Sequence, residues 1–123
     1  MSLKYLLDEN VPHALRSEIQ HLDANPVVRV VRVVGEAGCP PLGTPDPNIL
    51  RWCERHGFVL FTNNRASMPV HLAGHISLGG HVPGIFTLKQ GWALAQTAEH
   101  LVLVAGASFD DEYENQISHL PVA

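Results

Sequence analysis

The sequence predicts a single α/β domain, residues 1–123, built on a mostly parallel sheet, and three observations carry that prediction. Short apolar, largely β-branched or aromatic runs recur along the chain, at 4–7, 27–34, 58–61 and 84–88. Helical patterns of about ten residues separate them, and strand–helix–strand units of that kind are crossovers between parallel strands. A length of 123 residues with 46% hydrophobic and 16% charged residues suits one globular unit with its own core.

Lys4 to Leu7 reads as the first strand, ending on Asp8-Glu9-Asn10. Pro12 to His21 then reads as a helix, with Asn10 as its cap and Pro12 in the first turn. Val27 to Val34 is nearly continuous in valine, as a parallel strand buried on both faces should be, with Arg29 and Arg32 marking an exposed edge or end. Gly35 to Pro45, rich in glycine and proline, reads as a loop. Asp46-Pro47 opens a second helix, with Asp46 as cap and Pro47 at the first helical position, and His56-Gly57 closes it. Phe58 to Phe61 is a third strand, running into Thr62-Asn63-Asn64-Arg65. A short helix from Ser67-Pro69 to Leu78 follows, then a strand over Gly84 to Leu88 and a long helix over Trp92 to Ala105. The tail from Phe109 reads as a final strand or an arm. There is no internal repeat and no low-complexity block.

The net charge is −4, from 12 acids against 8 bases. Nucleic-acid binders draw much of their affinity from neutralising phosphates with a basic excess, so the overall charge counts against tight, non-specific binding. Cys39 and Cys53 are too few and too far apart for a disulfide framework and form no CxxC pair, which points to a reducing cytoplasm. No signal-peptide layout opens the chain, and no apolar stretch approaches the ~20 residues of a membrane span, so no membrane association is expected.

Chemistry in open parallel sheets gathers at the carboxyl ends of the strands, where strand order reverses. Two polar clusters fall at such ends, Asp8-Glu9-Asn10 and Thr62-Asn63-Asn64-Arg65, and Asp46 opens the helix that precedes the third strand. Carboxylates converging there suit a hard cation such as Mg²⁺, which would activate water for phosphodiester cleavage. The competing reading is that Asp8 and Asp46 simply cap helices. Arg65, Ser67 and His71 could contact a phosphate or nucleotide, or could belong to a turn and a helix cap. His71 and His75 share a helix face, and solvated or capping histidines are the simpler account than zinc. Trp52 and Trp92 read as core, and Cys53 as a buried rather than a reactive thiol. There is no phosphate loop of the P-loop type and no nucleophile triad.

Four segments also carry a resemblance. The opening LLDEN before a proline-started helix, the stretch GTPDPNIL at 43–50, FVLFTNNR at 58–65 and HVPGIF at 81–86 occur in the order and spacing of the small prokaryotic PIN-like, nuclease-type domains. The match runs over residues 4 to 105. The resemblance implies a three-layer α/β/α sandwich and an acidic cluster that binds Mg²⁺ or Mn²⁺ for RNA cleavage. It also implies, for many members, a toxin role opposite an antitoxin. By position, Asp8 matches the first family acid and Asp46 the second. The third falls at Asn64, which lacks the carboxylate, and Glu9 is a nearby candidate for a fourth. An amide oxygen can ligate a cation but brings no charge, so the implied ribonuclease is one of weakened or lost activity. The site expected from all this places Asp8, Asp46 and Glu9 on the metal, Asn64 completing the catalytic set, and Arg65, Ser67 and His71 on the substrate. RNA, an antitoxin-like protein and a second copy of the chain are the candidate partners. The alternative is a non-catalytic module that binds RNA, a nucleotide or a protein at the same rim.

Overall fold

The computed structural model describes residues 3–22, 28–107 and 111–121, with the backbone alone at 28–30. Five strands, β1 (Leu3–Leu7), β2 (Val28–Val33), β3 (Val59–Thr62), β4 (Ile85–Thr87) and β5 (Ile117–His119), alternate with four helices, α1 (Ala14–Leu22), α2 (Asp46–His56), α3 (Met68–Ser77) and α4 (Leu94–Ala107). Every strand pair is parallel, and the order across the sheet is β2-β1-β3-β4-β5. The result is the α/β/α sandwich the sequence predicts.

Alternate residues along the strands feed two cores. Tyr5, Leu7, Val59, Phe61 and Phe86 face α1 and α4, whose Leu15, Ile19, Ala98, Leu101 and Ala105 complete one cluster. Leu6, Leu60 and Ile85 face the other way, onto Ile49, Leu50 and Cys53 of α2 and Met68 and Leu72 of α3. Burial on both faces is what the unbroken apolar runs anticipate. Tyr5 lies wholly inside, its hydroxyl donating to the Leu101 carbonyl at 2.9 Å and so tying β1 to α4. The connection β1–α1–β2 steps one way along the sheet over the first face. The connections through α2 and α3 step the other way over the opposite face, which gives all three the same hand. The last connection steps outward from β4 to β5 but carries α4 on the α1 face, so its hand is opposite to theirs. Right-handed crossovers are strongly preferred, which makes this last one the exception.

Several boundaries differ from the sequence expectation. α1 starts at Ala14, beyond the reach of Asn10 as a cap, because a tight turn with Val11 N–H donating to Asp8 O at 3.0 Å uses the residues before Pro12. α2 is capped by the backbone of Pro45 with no side-chain bond; Asp46 is the first helical residue and Pro47 the second. Trp52 and Trp92 are half-buried at the margins of the core, Trp52 stacked on His56 and Trp92 edge-on to His100. The tail forms β5, joined to β4 by bonds such as Leu120 N–H to Thr87 O at 3.1 Å. Val27 and Arg29's side chain lie outside the described residues.

Candidate functional site

With the order β2-β1-β3-β4-β5, strand order reverses between β1 and β3, and this is where a crevice opens at the carboxyl edge of such a sheet. Asp8 follows β1 directly and Thr62 ends β3, so both stand at that crevice. Asp8 is only 5% exposed. Its Oδ2 accepts the Thr62 hydroxyl at 2.7 Å and its Oδ1 accepts the Glu9 N–H at 2.8 Å. Burial pushes its carboxyl above the ordinary range, these two bonds pull it back, and the charges of Asp46 and Glu9 push it up again.

Asn64 links the second acid to the same rim. Its N–H donates to the Thr62 hydroxyl at 3.1 Å, and its Oδ1 accepts the Ser67 N–H at 3.1 Å. A backbone N–H can only donate, so this bond fixes which end of the amide is oxygen. The Nδ2 end must therefore point at Asp46 Oδ2, 2.9 Å away, and at Ser67 Oγ, 2.8 Å away. His71 Nε2 stands 3.6 Å from the same Asp46 oxygen. Asp46 is thus free of any capping duty on its own helix and is turned toward β3 and α3. Ser67 occupies the cap position of α3, yet its hydroxyl makes no capping bond and serves Asn64 instead. Side-chain capping, the plainer account of Asp46 and Ser67, is not what these groups do.

Glu9 is half-buried and its Oε1 accepts the Gly43 N–H at 2.9 Å, which ties the loop after β2 to the rim. Asn63 donates across to the Asn10 carbonyl at 3.3 Å. Arg65 is exposed beside this bridge, with no ion pair or side-chain hydrogen bond among the described residues. His75 points away from His71's contact: it is buried between Glu54, at 2.9 Å, and the His81 carbonyl, at 3.2 Å, and ties α3 to α2.

The donor set at the rim is one of hard oxygens, which suits Mg²⁺ or Mn²⁺ rather than zinc. Its geometry is short of anionic groups. Among the described residues no three His, Cys, Asp or Glu side chains converge as a metal site. Beside Asp46 stands the Asn64 amide, which offers it an N–H rather than an oxygen.

Sequence reasoning missed a second polar centre. Glu36, in the loop after β2, pairs with Arg16 of α1 and Arg32 of β2 and accepts the Val33 N–H at 3.2 Å. Burial alone would raise its carboxyl, but the Arg16, Arg32 and Val33 hydrogen bonds outweigh it and hold the group down at about 2. No local spacing signals this pairing, since Arg32 lies on a strand and Glu36 in the turn that follows it. No helix of the described residues is long and apolar enough to cross a membrane. Comparison of the chain with protein-family models, with curated proteins and with solved structures returns no match.

Proposed function

We propose that the chain is a PIN-like domain whose rim binds RNA phosphate with Mg²⁺ or Mn²⁺, as a ribonuclease of weakened activity. The observation that supports this best is the bridge at the switch point: a buried, hydrogen-bonded Asp8 after β1, and Asp46 brought to the same rim through Asn64 and Thr62 after β3. A buried carboxylate held by two donors is pre-aimed, and pre-aimed groups are what charge stabilisation at a phosphate requires. Mg²⁺ is usually held by one or two carboxylates together with substrate phosphate and water. Asp8 and Asp46 would be that pair, with Glu9 near them, and Arg65 would meet an outlying phosphate. A bound divalent ion would supply an activated water and offset the charge that develops on the phosphate. Thr62 orients Asp8, and Asn64 and His71 hold Asp46.

The orientation of Asn64 favours a second reading. With its amide N–H already donated to Asp46, the rim is partly neutralised without a cation, and the domain would bind RNA, a nucleotide or a protein without cleaving. Calorimetric Mn²⁺ titration of the wild type and of Asn64→Asp, with RNA cleavage followed alongside and Asp8→Asn as control, separates the two. Under the first reading Asn64→Asp binds Mn²⁺ more tightly, since it adds a charge beside Asp46. In the metal-free variant the acids at the rim titrate at higher pH, because like charges disfavour ionisation. Negligible Mn²⁺ binding by both proteins would leave the non-catalytic module. The toxin role carried by the resemblance adds an antitoxin-like partner, which co-purification with the product of an adjoining gene would reveal.

A further inference from the structure

A pocket of about 400 Å³ opens beside the rim, between the start of α1 and the loop after β2. Its apolar side comes from Val33, Val34 and Leu42, and its polar side from His13, Arg16, Ser17 and Glu36. Two hydrogen bonds hold it against the rim. Val34 N–H donates at 2.9 Å to the carbonyl of Leu7, the residue before Asp8, and Gly43, next to Leu42, donates at 2.9 Å to Glu9. The pocket therefore lies one strand over from Asp8 on the same edge of the sheet.

The pocket is built rather than incidental. Its loop is fastened by the Glu36 pairs and by Gly35 N–H donating to Pro40 O at 2.8 Å. Gly35 has φ +100, and a Cβ there would stand 2.8 Å from the Leu42 side chain, so only glycine lets Leu42 fold over it. Leu42 itself is 65% exposed, an apolar side chain held at the pocket mouth by a fixed loop. Arg16 gives one nitrogen to Glu36, while its Nε is buried without a hydrogen-bond partner among the described residues.

The geometry points to a nucleobase subsite: a base in the slot of Val33, Val34 and Leu42, its phosphate toward the rim. This inference rests on the phosphate role proposed for that rim. Single-stranded RNA is read through bases splayed from the strand, stacked on imidazole or guanidinium planes and hydrogen-bonded along their edges. His13 and Arg16 supply the planes, Arg16 and Ser17 donors, and Glu36 an acceptor. An aliphatic anchor from a protein would use the slot and waste that mixed polar wall. Pockets of this volume are ordinary for small ligands.

The test uses Ser17→Trp, which fills the pocket from an exposed helical position, and Leu42→Ser, which strips its apolar wall; both are checked for folding by thermal unfolding. Binding of short labelled oligoadenylate and oligouridylate with Mn²⁺ is measured by anisotropy, and adenosine and uridine 5′-monophosphates are titrated into ¹⁵N-labelled protein. Each variant is expected to weaken RNA binding about tenfold, the usual cost of one lost stacked base. The monophosphates should shift the amides of His13, Ser17 and Leu42. If both variants bind RNA as the wild type does while Asp8→Asn binds less, the pocket is wrong and the rim stands. Loss in the pocket variants with none in Asp8→Asn keeps the pocket and removes the rim's phosphate role. If the wild type binds no RNA, the rim reading falls; mononucleotide shifts confined to the pocket then uphold the subsite, and none at all overturns it.

Discussion

Replacing Thr62 by Val removes one oxygen from a wholly buried position and keeps the side-chain shape. That oxygen donates to Asp8 Oδ2 at 2.7 Å and accepts the Asn64 N–H at 3.1 Å. A hydrogen bond to a charged group contributes about 1.5–3 kcal/mol, and Asp8, at 5% exposure, has little access to water as a substitute. Adding the half-buried Asn64 N–H brings the expected cost to about 3 kcal/mol at pH 7, or about 10 °C in Tm for a chain of this size. The pH dependence is the sharper test. Burial already holds the folded Asp8 carboxyl above its ordinary 3.8, so the folded state prefers the protonated form. Its ionisation therefore costs stability as pH rises from 3.8 through the folded pKa, and below 3.8 that penalty is absent. Thr62→Val lifts the folded value further, since a bond that favours the carboxylate is gone, and the penalty grows at neutral pH only. Near pH 3.5 the hydroxyl meets a neutral acid and the cost of the substitution falls to about 1 kcal/mol. Urea unfolding of both proteins at the two pH values reads the difference directly. A cost that is the same at both, or below about 0.5 kcal/mol at pH 7, would refute the account of Asp8 as an anchored, buried carboxylate.

Glu36→Gln should lower stability at pH 7 by about 1–2 kcal/mol: the drop of its carboxyl from 4.5 to about 2 corresponds to about 3 kcal/mol before solvent screening of a pair about 30% exposed. Because the folded value is depressed, that stability is present above pH 4.5 and is lost as pH falls toward 2, so acid unfolding should be shallower in the variant over that window. Gly80→Ala puts a methyl 2.6 Å from the His75 ring and should cost about 1–3 kcal/mol by denaturant unfolding, with most of the loss disappearing in a His75→Ala background. An undiminished cost in that background would mean that the crowding of His75 is not the cause.

The strands were legible because each is buried on both faces and so reads as an unbroken apolar run; Leu60, for instance, can face α2 only if Val59 and Phe61 face α1 and α4. Helix starts were less legible. Asp46-Pro47 has the composition of a cap and a first turn, but the cap role falls to Pro45, whose ring fixes φ at −61° and whose ψ of 147° is the extended value of a cap residue. Of the rim residues, Asp8 and Asp46 could be nominated from their places after a strand and at a helix start, and Asn64 from the resemblance. Their joining could not: Asn64 reaches Asp46 across 18 residues, and which end of its amide does so depends on the Ser67 N–H. The pairing of Glu9 with Gly43, and the pocket that it braces, depend on sheet order, which no local pattern encodes.

The three residues of β5 have a protective consequence out of proportion to their length. All of β4 is buried, and its outer row of N–H and C=O groups is matched by Gln116 and Leu120, as in Ile85 N–H to Gln116 O at 3.0 Å. Tyr113 packs its ring edge-on to Phe86, 5.0 Å between centroids, fastening that segment to the core. A chain cut before Tyr113 would keep four strands and both helical layers but present Ile-Phe-Thr as an open, apolar edge. Such an edge is a template for another strand of the same kind. The loss would therefore show first as self-association, dependent on concentration, before any loss of helical signal.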